Sequence, residues 1–152
     1  TRLLLTPGAS QVYYGDELAR SLVVPGTEGD ATLRSFMNWD SITNNKQTKS
    51  VLTHWQKLGQ FRAKHPAVGA GVHQMISEEP YLFYRKYRLF NAEDEVVIGL
   101  RLQKGEKILD VSKVFKDGDE IYDAYSEKTA KVINGKLTLS TDYNMVLLEP
   151  RN

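Results

Sequence analysis

The chain has no cysteine. That excludes disulfides, thiolate zinc sites and a cysteine nucleophile within it, and leaves the compartment open, since secreted bacterial proteins also lack it. A dominant charge is missing too: twenty Lys and Arg stand against nineteen Asp and Glu, a formal net charge of +1. No field for nucleic acid or an anionic membrane follows from that balance. No apolar run reaches the ~18 residues of a transmembrane helix. Histidine is scarce, and His54, His65 and His73 lack metal-ligand spacing. His65, beside the end of a predicted helix, reads as a cation suited to the helix dipole. No G-x-S-x-G elbow surrounds Ser10, Ser21 or Ser35, so a serine triad is unsupported. There is no internal repeat and no low-complexity tract. The first residue is Thr1 and not Met, so the start reads as a cut or cleavage boundary, and targeting is not legible from it.

What is present is globular. Of the 152 residues, 41% are hydrophobic and 26% charged, enough for one domain or a small domain with an appendage. The pattern changes near residue 72, where the main boundary is expected: residues 1–71 as α/β pieces, residues 72–152 as an all-β domain. Leu3, Leu4 and Leu5 read as the end of a helix stopped by Pro7 and Gly8. Gln11–Tyr14 reads as a short strand, and residues 16–43 as a long loop of the kind that is usually functional or disordered. Val51, Trp55, Leu58 and Phe61 or Arg62 recur at helical spacing and predict a helix over 47–64, capped by Asn45 or Thr48 and ended by His65-Pro66. Gly59 inside it predicts close packing.

Beyond Gly71 the period becomes two. Strands are expected at 72–77, 81–88, 96–102, 107–111, 120–125, 131–133, 136–139 and 144–148. The strand of Val96, Ile98, Leu100 and Leu102 carries one apolar face. Asn134-Gly135 is the strongest hairpin signal, because a type I′ turn needs positive φ twice. Short strands at such spacing argue for an antiparallel Greek-key-like β-sandwich. Glu93-Asp94-Glu95 reads as a turn, and Arg85, Lys86 and Arg88 as solvated edge charges.

Two features invite a chemical reading. Asp16-Glu17 is a carboxylate pair, but neighbours on extended backbone point to opposite sides and would not face one bond. Tyr81, Phe83, Tyr84, Tyr87 and Phe90 make an aromatic strand region that could stack on sugars; a core face with an ordinary strand surface is the plainer reading.

Three motifs carry a family resemblance. Leu3-Leu4-Leu5-Thr6-Pro7-Gly8-Ala9-Ser10-Gln11-Val12-Tyr13-Tyr14-Gly15-Asp16-Glu17 resembles the α-amylase superfamily pattern LLxxPGxPxxYYGDE at the last barrel strand. Arg34-Ser35-Phe36-Met37-Asn38-Trp39 is similar to its RxPMxW. Trp55-Gln56-Lys57-Leu58, with Arg62 and His65-Pro66, looks like its W-x-K-L-x-x-x-R-x-x-H-P helix. The motifs come in the family's order. Ser10 and Phe36 depart from it, each standing where proline is usual.

The resemblance implies an α+β fragment: strand eight, its long loop and helix eight of a TIM (β/α)₈ barrel over residues 1–71, then the β-sandwich over 72–152. Active sites of such barrels lie at the carboxyl ends of the strands, so Tyr14, Asp16, Glu17, Arg34 and Trp39 would belong to the rim of the substrate cleft. Retaining glycosidases use two carboxyl groups about 5–5.5 Å apart; in this family these and a third aspartate come from strands four, five and seven, upstream of Thr1. No catalytic, metal or cofactor residue is therefore assigned here, and any calcium would belong to the parent enzyme. The expected parent hydrolyses α-1,4 bonds of starch-like glucans, in a secreted or cell-envelope setting. A transglycosylase, an oligosaccharide-specific hydrolase, or a sugar-binding β module are the alternatives. No nucleic-acid partner or membrane segment is implied. Cut from its barrel, the chain is expected to self-associate through residues 1–71, whose strand would lack neighbours, or to leave much of that region mobile.

Overall fold

The computed structural model describes residues 1–151. Its helices are α1 (Arg2–Leu5), α2 (Ser41–Asn44), α3 (Lys46–Lys64) and α4 (Pro66–Ala70), with 3₁₀ turns at Asp16–Leu18 and Gly29–Leu33. Eight strands follow: β1 (Val72–Ser77), β2 (Tyr81–Leu89), β3 (Ala92–Leu100), β4 (Gly105–Asp110), β5 (Glu120–Asp123), β6 (Lys128–Ile133), β7 (Lys136–Thr141) and β8 (Met145–Pro150).

Helix α3 forms where the spacing places it. The Asn45 side chain accepts from the N–H groups of Gln47 (2.8 Å) and Thr48 (3.1 Å), a cap worth about 1 kcal/mol. At the other end His65 is extended, as a residue before proline must be, and Pro66 opens α4 where its missing N–H costs nothing. Leu58 and Phe61 are buried, each contributing about 1.5–3 kcal/mol by leaving water. Arg62 is no core residue: its guanidinium donates to the carbonyls of Leu4 (2.9 Å), Thr6 (2.9 Å) and Gly8, binding the first segment to the helix. Contrary to the packing expected at Gly59, open space surrounds that position.

The strands form one curled antiparallel sheet in the order β1-β2-β3-β8-β5-β6-β7-β4. Strands β5, β6 and β7 form a meander and β4 lies beside β7, a Greek-key arrangement. Asn134 and Gly135 have φ of 50° and 70°, the two positive values the hairpin requires. Curling encloses one core inside the sheet, including Leu82, Val97, Val111, Ile121, Leu137 and Leu148. A second core lies on the outer face, where Phe83, Val96, Ile98, Met145 and Leu147 meet Leu4, Leu5, Leu58, Phe61 and Val68 of the helices. Strand β3 is thus apolar on both faces, with Val97 in one core and Val96 and Ile98 in the other, and not on one face alone.

Four further expectations are corrected. Gln11–Tyr14 has no strand partner and forms no strand, because a ladder needs a neighbour. Glu93–Glu95 lies inside β3, where Lys86 pairs opposite Glu95 (3.0 Å) and Arg88 opposite Glu93. Arg85 is not a solvated edge charge: it is 3% exposed, donates to the Val68 carbonyl and lies 5.1 Å from the Phe83 ring centre. Burial pushes its pKa down. His65 is buried between two carboxylates, with Nδ1 at 2.8 Å from Asp94 and Nε2 on Glu149. Asp94 also accepts the Ala67 N–H (2.8 Å) and Glu149 contacts Lys64 (2.6 Å). This polar knot fastens the α3–α4 junction to β3 and β8.

Candidate substrate-cleft rim

Residues 9–40 run largely without regular structure, so side chains must satisfy the backbone polar groups that a ladder would otherwise pair. Arg20 does most of this. Although charged, it is 7% exposed. Its Nε donates to Tyr14 O (3.0 Å), Nη1 to Leu33 O (3.1 Å) and Ser35 O (3.0 Å), and Nη2 to Leu33 O (3.1 Å). The guanidinium stacks 4.0 Å from the Tyr14 ring centre. The hydroxyls of Tyr13 and Tyr14 reach the same carbonyls, Leu33 at 3.3 Å and Ser35 at 3.1 Å. Gly15 (φ 86°) makes the turn possible. A Cβ there would sit 2.5–2.8 Å from the Arg20 side chain, so only glycine lets the arginine fold back.

The five rim candidates are placed unequally. Tyr14 is drawn to Ser35, and hence to the neighbourhood of Arg34, by the Arg20 fork. Asp16 and Glu17 occupy adjacent positions of a 3₁₀ turn and not extended chain. With three residues per turn their side chains still diverge. Arg34 is exposed. Trp39 is 64% exposed, and its neighbour Asn38 anchors the strand of loop by donating to Leu18 O (3.1 Å). The Asn38 Oδ1 is buried without a partner among the described residues. Leu18, 1% exposed, plugs this loop onto α3. Phe36, in the place of the family's proline, is 99% exposed.

Sequence reasoning missed Arg20, which belongs to no motif, and the anchoring roles of Ser35 and Asn38, which lie inside the Arg34–Trp39 motif. The available signal was a lone arginine between YYGDE and RSFMNW, two motifs that had to meet. Among the described residues no group of three or more His, Asp or Glu side chains is placed to hold a metal ion. No helix among them is long and apolar enough to cross a membrane.

The fold of this chain is shared with known proteins. The chain is 41% identical over 97 residues to the periplasmic alpha-amylase of Escherichia coli K12, a match over 63% of this chain and 14% of that protein. An Anoxybacillus alpha-amylase structure superposes on 99% of this chain and 31% of its own length, with a TM-score of 0.63 at 22% identity. The alpha-amylase of Geobacillus thermoleovorans, solved with acarbose, covers 99% of this chain and 31% of its own, with a TM-score of 0.63 at 17% identity. No family model matches. The architecture is one that alpha-amylases of solved structure share. More narrowly, the chain is homologous to the α-amylase superfamily, glycoside hydrolase family 13. It spans 14% of the length of the curated relative it matches.

Proposed function

We propose that this chain is the carboxyl-terminal part of a retaining α-glucan hydrolase of the α-amylase type, itself non-catalytic. Residues 1–71 complete the catalytic barrel and residues 72–152 form the trailing β domain. Tyr14, Asp16, Glu17, Arg34 and Trp39 stand on the rim of the substrate cleft, and the bond-breaking carboxylates come from elsewhere in the parent. The observation that carries this reading is the 41% identity over 97 residues to a periplasmic alpha-amylase. It also favours a secreted or periplasmic setting for the parent. The β domain's main role is structural, since the outer core buries Leu58 and Phe61 of α3.

The test has two parts. The coding sequence upstream of Thr1 is expected to hold the three barrel carboxylates; without them the hydrolase reading fails. The purified chain is expected to leave a chromogenic maltooligosaccharide uncut, and turnover that survives stringent purification would overturn its non-catalytic role. We further propose that the isolated chain either self-associates through residues 1–71, where Phe36, Trp39 and Val23 are exposed, or leaves much of that region mobile. A strict monomer by light scattering, together with slow amide exchange throughout residues 1–45, would refute this.

A further inference from the structure

On the side of α3 that faces the end of the sheet there is a groove of about 310 Å³. One wall is a helix stripe of Lys49, Ser50, Thr53 and Lys57; the other is a pair of tyrosines, Tyr125 and Tyr143. The tyrosines stand edge to face, with ring centres 4.9 Å apart at 88°. Both are on loops with local anchors. The Asp123 carboxylate, fully buried, accepts from the N–H groups of Tyr125 (3.1 Å), Ser126 (3.3 Å) and Leu147 (2.8 Å), fixing the turn that carries Tyr125. Tyr143 follows Thr141, whose hydroxyl accepts its N–H (3.4 Å).

The groove is pre-organised beyond its backbone. His54 Nδ1 meets the Tyr125 hydroxyl at 2.7 Å, and His54 Nε2 meets the Thr1 hydroxyl at 2.8 Å. Lys57 donates to Tyr125 O (2.6 Å) and Glu127 (2.9 Å), and its ammonium lies 5.6 and 5.9 Å from the two ring centres. Its charge is therefore already answered by a carboxylate, a carbonyl and two aromatic faces, and it is not a free anion receptor. What remains open to a ligand is an aromatic surface, with Tyr143 44% exposed, facing a row of hydroxyl and ammonium donors. Aromatic rings bordered by hydroxyl, imidazole and ammonium donors, with Lys46 beside Lys49 and His54, match the alternating C–H faces and hydroxyl edges of a sugar ring. This stripe of α3 is polar, unlike the one that carries Leu58 and Phe61 into the core.

We infer that this groove is a second saccharide-binding site, separate from the cleft rim, which holds an α-glucan chain against Tyr143 and Tyr125. The inference rests on the proposed α-glucan specificity of the parent for the identity of the sugar.

Titrating the ¹⁵N-labelled 152-residue chain with maltoheptaose tests it, with cellohexaose and inorganic phosphate as separate arms. Shifts at the amides of Ser50, Thr53, Tyr125 and Tyr143 with maltoheptaose, kept in 0.5 M NaCl, are expected. Tyr143→Ala is expected to weaken them about tenfold and Tyr143→Phe to change them less than about twofold; circular dichroism checks that both stay folded. Equal binding by Tyr143→Ala overturns the site. Groove shifts driven by phosphate and lost in salt overturn it in favour of an anion site. Maltoheptaose shifts confined to Arg34 and Trp39 overturn the groove while supporting the α-glucan reading. A silent titration also overturns the groove, and the upstream carboxylates then decide the parent's chemistry independently.

Discussion

Replacing His65 by leucine should be among the most damaging single changes in the chain. The imidazole bridges Asp94 and Glu149, whose side chains are 18% and 4% exposed. Removing it leaves both carboxylates facing an apolar group. Breaking a buried pair by deleting one partner costs about 3–5 kcal/mol. Here the lower end applies, because Asp94 keeps the Ala67 N–H and Glu149 keeps Lys64, whose own side chain is 57% exposed. A loss of about 3 kcal/mol lowers the melting temperature of a domain this size by roughly 6–12 °C. At an m-value of about 2 kcal/mol/M it moves the urea midpoint by about 1.5 M. Glu149→Gln added to His65→Leu removes the stranded charge and should recover part of that shift. Urea melts followed by far-ultraviolet circular dichroism supply the number. A shift below about 0.3 M, the size of an exposed ion pair, would refute the claim that the knot is a buried fastening. Arg88→Ala, which breaks the exposed pair with Glu93, is the internal control.

Three other outcomes are expected. Arg20→Lys should speed amide exchange across residues 13–35 as Arg20→Met does, because a single ammonium cannot reproduce a planar fork serving three carbonyls; rescue by lysine would contradict the fork. Gly59→Ala should stabilise the chain by about 0.5–1 kcal/mol, since α3 is helical there and nothing lies within reach of a new Cβ; a lower midpoint in urea would show the site to be crowded. Burial holds the His54 and His73 rings below the ordinary imidazole value of 6.5, helped at His73 by the charge of Arg85. The unfolded chain then binds more protons below about pH 6.5, so the stability these rings give is full above that pH and is lost as pH falls through their folded values. Melting temperatures from about pH 7.5 to 5 should fall accordingly, and less steeply in His73→Gln; an identical slope in the variant would refute its share.

Elements that satisfy their own backbone were legible in the sequence. The α3 period, the Asn45 cap, the Asn134-Gly135 hairpin and the strands after Gly71 are all local signals, and the strands occupy close to their expected positions. Three of the misreadings share one cause, which is that the deciding partner is remote or absent. His65 meets Asp94 and Glu149, 29 and 84 residues away. Arg85 finds the Val68 carbonyl across the sheet–helix junction. Gln11–Tyr14 has the residues of a strand but no strand beside it. For Glu93–Glu95 a usable signal was present: Lys86 and Arg88 mirror Glu95 and Glu93 about Phe90-Asn91, the charge pattern of paired strands. For the proposed rim, motif order singled out Tyr14 through Trp39 as candidates, but the Arg20 fork that joins these segments follows from geometry alone.

Strand β8 sits in the middle of the sheet, between β3 and β5, yet it is made after every other strand. Val146 and Leu148 face the inner core, Met145 and Leu147 the outer one. During synthesis, then, both cores stay open on the ribosome until residues 145–150 have emerged, and Leu58 and Phe61 of α3 wait uncovered with them. At about 5–20 residues per second the first strand, β1, waits roughly 4–15 s for β8 to be made. A chain stopped before Met145 would lose the partition common to two hydrophobic compartments, so a nonsense codon just ahead of β8 should behave as a folding defect.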